Sequence, residues 1–397
     1  FTRIVVAEID AELVDAVRSS NGSYYVNIAK SDGIEQLRVE NVELLNPNVT
    51  ADKQSLIDIL AQSTEIVTSL PSVSFYESGG TNSVVSLIAE GFKNSSAEAT
   101  IIYTAENNNH AAEILSKAVS EKNALPPHDK VQFLNTVIGK MSRVVTDSAE
   151  IDELKLKTIA PGLKRAFLVE QFNKILVSRT HIGGFKPGIE VFIEKDDLLP
   201  FEEAKLYGHN AIHSLLGFIG AVKGARSMTE LTDDKVIMQI GRDAFLNESG
   251  AALIKKYAHL GDELFTEAGY KEFADDLLER MTNPYLGDTI ARVTRDIVRK
   301  LEIDGRIFGT MQLAMEYGIE PRNMASGAMA GIALLLDKAQ EYNLPDDLRF
   351  SNWRILDENQ IEGIIKWLWA GESCKQIERI IKALKSSIKQ LEELAKN

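Results

Sequence analysis

A chain of 397 residues is long enough for two domains, each with its own core. Its 44 Lys and Arg against 58 Asp and Glu leave a net charge of −14, which argues against a nucleic acid or an anionic membrane held by bulk electrostatics, so an anionic ligand has to meet a local basic pocket. One cysteine, Cys374, rules out an internal disulfide and a multi-cysteine zinc site; with no apolar run of spanning length and no basic-then-apolar leader, the expectation is a soluble, cytoplasmic protein.

In chain order, residues 1–180 alternate short β-branched runs with helical stretches. "RIVVAE" (3–8), "EIVTSL" (65–70), "TIIYTA" (100–105) and "VQFLN" (131–135) read as strands buried on both faces. "AELVDAVRSS", "TNSVVSLIAEGF" and "NHAAEILSKAV" space their apolar residues at helical intervals between them. The alternation predicts an α/β domain over 1–180, a Rossmann-like, doubly wound and mostly parallel sheet. "RTHIGGFKPGIEVF" (179–192) carries the Gly and Pro of a loop or linker. Residues 181–397 are then expected to form an all-α domain, with helices over 202–222, 233–257, 288–301, 322–341 and from 374 onward.

Such a sheet normally opens with a strand, a glycine-rich turn and a helix that receives a dinucleotide pyrophosphate. No G-x-G-x-x-G is present, and "FTRIVVAEIDAELV" reads as the second strand of that fold, so about twenty residues carrying the first strand and loop are expected to precede Phe1. Glu8 and Asp10 fall at the end of this strand, where an acid grips the adenosine ribose diol and repels a 2′-phosphate; ordinary surface acids are the alternative. "ESGGTNS" (77–83) lacks the spacing of a phosphate loop and reads as a plain loop.

"KLYGHNAIH" (205–213) is the segment that carries chemistry. At 100° per residue, Lys205, His209 and His213 fall within an arc of about 80°, with Asn210 about 60° beyond His213. A lysine in a partly buried cleft has its ammonium form disfavoured and becomes a usable general base. An asparagine amide donates to an alkoxide or carbonyl oxygen, and a histidine orients the substrate hydroxyl or assists the lysine. Such a set suits removal of a proton from a secondary alcohol while hydride leaves its carbon. Two plainer readings stand beside it: a solvated lysine with two capping or core polar residues, and a zinc pair at His209 and His213, which lacks the glutamate of H-E-x-x-H.

The K-x-x-x-x-N-x-x-H pattern of Lys205, Asn210 and His213, followed by "LLGFIG", resembles the active-site helix of the polyol-specific long-chain dehydrogenases, the mannitol dehydrogenase family. "FLNTVIGKM" (133–141) is similar to the family's F-P-N-S-M-V-D-R-I segment, with Gly139-Lys140 standing where the family has Asp-Arg. The resemblance implies Lys205 as general base, Asn135 and Asn210 as the alkoxide-stabilising pair, and His213 as the partner that orients the substrate. It implies NAD rather than NADP, selected by Glu8, with Thr68 of "VTSL" beside the nicotinamide and Asn107 of "TAENN" in the cofactor-binding segment. Glu202 and Glu203 lie where family members carry a glutamate suspected of connecting the lysine to solvent.

"ESGAALIKKY" (248–257) and "NPYLGDTIARVTRDIVRKLEIDGRIFG" (283–309) are most similar to the mannitol-1-phosphate 5-dehydrogenase branch of that family. Arg292, Arg295, Arg299, Lys300 and Arg306 form a basic cluster fit for a phosphate dianion, and Arg179 stands where enzymes for unphosphorylated sugars place an acid. For at least half of the arginines the plainer expectation is an ion pair with Asp288, Asp296 or Asp304. The function implied is NAD-dependent interconversion of mannitol 1-phosphate and fructose 6-phosphate, without metal, by a monomer or small homo-oligomer. A hexuronate (fructuronate or tagaturonate) or a free polyol is the alternative substrate. A non-catalytic sugar-phosphate-binding protein is the alternative of a different class.

Overall fold

The computed structural model describes residues 2–122, 129–171 and 174–396. It divides into two compact units, Phe1–Glu202 and Glu203–Asn397.

The strands of the first unit are β1 (Ile4–Ala7), β2 (Tyr24–Ala29), β3 (Ile34–Val39), β4 (Val42–Leu45), β5 (Glu65–Thr68), β6 (Thr100–Thr104), β7 (Val131–Ile138), β8 (Ser142–Val145), β9 (Ala166–Glu170), β10 (Ile175–Ser178) and β11 (Phe192–Lys195). Helices α1 (Ala11–Ser19), α2 (Thr50–Leu60), α3 (Val84–Lys93), α4 (Ala111–Ser120) and α5 (Ser148–Glu153) lie between them. The main sheet has the order β11-β10-β7-β6-β5, with β5, β6 and β7 parallel and β10 reversed against β7. Every residue of β6 is buried, as a strand covered on both faces requires. Side chains alternate along it: Ile102 joins Ile88, Leu115 and Val119 of α3 and α4, while Ile101 and Tyr103 meet Leu134 and Val177 on the other face. Two of these helices start on side-chain caps of this kind, Asp10 accepting from the Leu13 N–H for α1 and Ser83 from the Ser86 N–H for α3.

Three features depart from the sequence expectation. β1 pairs in parallel with β4 alone and leaves Ile4 (47%) and Val6 (41%) exposed, so it is not buried on both faces. The first unit continues past residue 180, because the segment after the Gly- and Pro-bearing loop returns as β11 beside β10. A four-stranded sheet of order β3-β2-β9-β8, mostly antiparallel, stands apart from the doubly wound pattern. Buried Asn27 ties it together: its amide donates to the carbonyls of Lys157 and Phe167 and accepts from the Lys157 N–H. "ESGGTNS" is a loop, with left-handed backbone at Gly79 and Gly80.

The remaining elements are helical: α6 (Leu199–Glu203), α7 (Ala211–Lys223), α8 (Lys235–Asp243), α9 (Ala251–Tyr257), α10 (Glu267–Met281), α11 (Ile290–Thr294), α12 (Ile297–Lys300), α13 (Arg306–Glu316), α14 (Arg322–Asp337), α15 (Glu358–Leu368) and α16 (Ile377–Lys396). Buried along nearly its whole length, α14 is the axis of the second unit, with α7 and α16 packed on it. The stretches expected as single helices over 202–222 and 233–257 each contain a π turn, Ala204–Asn210 and Ala244–Gly250. The stretch expected over 288–301 is broken at Asp296, whose φ of 58° ends α11 and restarts the chain as α12. No helix among the described residues is long and apolar enough to cross a membrane.

Glu248 on the second π turn is buried and accepts the Asn323 and Met324 N–H groups at the start of α14, at 2.7 and 2.9 Å. Burial pushes its carboxyl up to about 7, against the pull of those two backbone donors. A raised acid means that the folded chain holds a proton the unfolded chain has released. Stability from this group is therefore full below about pH 4.5 and lost as pH rises through about 7. Thermal unfolding followed across that window is expected to show a falling midpoint in the wild type and a flatter profile in Glu248→Gln; equal slopes would remove Glu248 as the cause.

Candidate active site

In the second unit the catalytic candidates cluster around the first π turn. The Ala211 N–H reaches back five residues to the Leu206 carbonyl, the bond that defines a π turn. Five residues separate Lys205 from Asn210, which an α-helix would place about 140° apart; the wider turn draws them toward one side. The turn is seated by its neighbours. A Cβ at Gly208 would lie 2.9 Å from both the Phe245 ring and the Tyr270 hydroxyl, and one at Gly250 would lie 2.6 Å from the Tyr270 ring. Tyr270, 1% exposed, thus lies against the glycines of both π turns, with its hydroxyl 3.3 Å from Ser249 Oγ.

Lys205 and Asn210 are half-buried, and no other described residue hydrogen-bonds the Asn210 side-chain amide. The Asn210 carbonyl accepts from Ser214 Oγ at 2.8 Å, and Ser214 Oγ in turn accepts from Arg306 Nη1 at 3.2 Å. His209 is buried and held neutral: burial drives its pKa well below the usual range, and the charges of His213, Arg280, Lys205 and Arg306 push the same way. It packs 6.3 Å from the His213 ring, centroid to centroid. His213 Nε2 lies 3.0 Å from Asp288 Oδ2, at ion-pair distance without hydrogen-bond alignment. Glu203 is held by Lys256 Nζ at 2.8 Å and the Tyr257 hydroxyl at 2.7 Å.

The basic cluster sorts into three kinds of group. Arg292 is committed, its Nε and Nη2 each 2.7 Å from an oxygen of Asp288. Arg295 and Arg299 are largely exposed, with loose contacts to Asp296 at 3.9 and 3.7 Å. Lys300 is 4% exposed and Arg306 is half-buried, and neither has an ion-pair partner among the described residues. Burial, then the charges of Arg306 and Arg299, bring the Lys300 ammonium down to about 8; burial likewise brings Arg306 down to about 10. Cations buried beside one another are costly unless an anion joins them.

The first unit holds the other candidates. Glu8 follows the carboxyl end of β1, and its carboxylate accepts the Asp10 N–H at 2.9 Å. Thr68, at the carboxyl end of β5, is buried and donates to Glu106 Oε2 at 2.9 Å. Glu106 also takes the Tyr76 hydroxyl and the Leu70 N–H, so this one buried carboxylate organises the loop after β5. Asn107 is exposed in the loop after β6. Asn135, on β7, accepts the Ala112 N–H at the start of α4 and donates to Glu113 Oε2, each at 2.9 Å. Arg179 does not stand free for a phosphate, since Asp196 and Glu194 flank its guanidinium. Sequence reasoning treated Asp288 only as a partner for an arginine; the contact with His213 joins segments 75 residues apart and leaves no local signal.

A Rossmann-like α/β unit followed by a helical unit that gathers a lysine, an asparagine and a histidine on a π turn and the helix it leads into is the architecture of a polyol dehydrogenase. Residues 197–392 match the mannitol dehydrogenase C-terminal domain, so the helical unit is that of the mannitol dehydrogenases. Mannitol-1-phosphate 5-dehydrogenase of Buchnera aphidicola subsp. Acyrthosiphon pisum (strain Tuc7) is 25% identical over 335 residues, 82% of this chain and 79% of that protein. Substrate-free D-sorbitol dehydrogenase superposes with a TM-score of 0.75 at 14% identity, covering 99% of this chain and 88% of that one. Mannitol 2-dehydrogenase of Pseudomonas fluorescens, solved as a ternary complex with NAD and D-mannitol, superposes with a TM-score of 0.64 at 17% identity, covering 99% and 86%.

Proposed function

We propose that this chain interconverts a sugar-alcohol phosphate and its ketose phosphate, mannitol 1-phosphate and fructose 6-phosphate, with NAD as the hydride carrier and Lys205 as the base. The observation that carries the reading is the pair Lys300 and Arg306, cations without ion-pair partners among the described residues, with Arg306 bonded to Ser214 one turn beyond Asn210. A phosphate dianion supplies the two negative charges that this pair lacks, and guanidinium binds its oxygens in a fork. Arg295 and Arg299 add exposed charge at the rim. The name carried by the curated relatives supports the phosphorylated substrate, and the NAD in the Pseudomonas fluorescens complex supports the cofactor.

Glu8 at the end of β1 has the acidity and position that suit an adenosine ribose diol, with Thr68 at the carboxyl end of β5 and Asn107 on the loop after β6. The nicotinamide, when bound, accepts or returns the hydride. Lys205 takes the hydroxyl proton. The Asn210 amide steadies the alkoxide. His213 orients the substrate hydroxyl. A hexuronate carboxylate would call on the same cations with half the charge.

Oxidation of NADH in the presence of fructose 6-phosphate tests the reading, run with and without prior EDTA treatment and with NADPH in place of NADH. Turnover with NADH that survives chelation is expected, with NADPH much poorer. Loss of activity on chelation would move His209 and His213 to a metal role, and equal use of NADPH would remove the role given to Glu8.

A further inference from the structure

The pairing of His213 with Asp288 carries a consequence for how the histidine meets substrate. Asp288 is 2% exposed, and side chains from two helices converge on it: Arg292 Nε and Nη2 of α11 donate to it at 2.7 Å each, and His213 Nε2 of α7 lies 3.0 Å from Oδ2, at ion-pair distance without hydrogen-bond alignment. Its backbone is pinned as well. The Met228 N–H donates to the Asp288 carbonyl, the Ile290 N–H to the Arg226 carbonyl, and Ser227 bridges Thr289. Gly217 of α7 lies so close to Val293 of α11 that any side chain there would collide with it. The carboxylate is therefore a fixed point against which the imidazole has to settle. Its pKa is held down to about 2: burial pushes upward, and His213 and Arg292 more than offset it, so the charge persists throughout the physiological range.

We propose that Asp288 is a positioning residue that fixes the tautomer of His213, holding hydrogen on Nε2 and leaving Nδ1 as the nitrogen that accepts the substrate hydroxyl, while tethering Arg292 away from the anion site. The tautomer of an imidazole is set by the bond that its other nitrogen makes. A buried carboxylate facing Nε2 favours hydrogen there, and a neutral amide at position 288 accepts or donates with equal ease. The inference rests on the reading of His213 as the residue that orients substrate. It also states why Arg292, though in the basic cluster, is unavailable to a phosphate.

The test is Asp288→Asn, with Asp288→Glu as a second variant that keeps the charge, each made also in a His213→Asn background. Long-range nitrogen–proton spectra of histidine-labelled protein read the tautomer directly, and they do so whether or not the substrate is correctly named. The signal missing from the His213→Asn spectrum identifies His213, and it is expected to show hydrogen on Nε2 in the wild type and a tautomer mixture in Asp288→Asn. The same substitution is expected to raise KM about 10- to 100-fold with a smaller change in kcat, and to add nothing further in the His213→Asn background. Asp288→Glu is expected to recover part of the loss. An unchanged His213 spectrum in Asp288→Asn, or a loss of equal size with and without His213, would overturn the proposal. Wild-type protein that is inactive on every ketose tried, yet shows the expected tautomer shift, would instead fault the proposed substrate.

Discussion

Lys205→Ala is expected to lower kcat for ketose phosphate reduction by about 10²- to 10⁴-fold, the range a positioned acid–base group supplies. KM is expected to move far less, because the residues proposed to hold the phosphate, Lys300 and Arg306, lie on α12 and α13 rather than on the π turn. The physical reason is local. Lys205 shares its turn with His209, which burial keeps neutral, and with Tyr207, whose phenol burial pushes up to about 12, so the proposed base is the lysine. Asn210 donates through an amide and His213 faces a carboxylate. Steady-state kinetics on Lys205→Ala and Lys205→Arg separate the outcomes. Arginine keeps the charge but does not release its proton, so both variants should fail alike. An active Lys205→Arg enzyme would reduce Lys205 to a counter-charge and move the base elsewhere.

The second large effect falls on substrate affinity. Truncating Arg306 to alanine removes a proposed charged donor to the phosphate and also leaves buried Lys300 without the neighbouring guanidinium. A charged hydrogen bond is worth about 1.5–3 kcal/mol, so KM for fructose 6-phosphate should rise on the order of 10- to 100-fold while unphosphorylated fructose is hardly affected. Lys300→Met should act in the same direction. Because the Lys300 ammonium is brought down to about 8, its charge is full below that pH and is lost above it, so phosphate affinity in the wild type is expected to weaken as pH rises through about 8. Lys300→Met lacks that limb. A KM profile in the variant that still breaks near 8 would assign the break to another group.

How much of this was legible beforehand depends on whether the signal is local. The β6 run Thr100–Thr104 and the helices on either side of it follow from alternation and helical spacing, because one strand buried on both faces demands an unbroken apolar stretch. The β3-β2-β9-β8 sheet is not readable in that way: β2 pairs with β9 across about 140 residues, and Asn27, which joins them, reads as a surface polar residue. Lys205, Asn210 and His213 stand out by spacing, yet the spacing alone implies an ordinary α-helix. The π turn depends on Tyr270 and Phe245 pressing on Gly208 from elements well downstream, and apolar periodicity is blind to that. Arg179 illustrates the opposite error. Its place in the chain suggested a phosphate ligand, whereas the acids of β11 and the following residue claim it. Charges in a sequence carry no record of which are already paired.

NADH oxidation by the wild-type protein with fructose 6-phosphate, fructose, fructuronate and tagaturonate side by side tests the phosphate assignment most directly. The cation pair of Lys300 and Arg306 predicts turnover of fructose 6-phosphate with kcat/KM well above that of the other three. Preference for a uronate or for free fructose would contradict the phosphate assignment, and the cation pair would then need another anion.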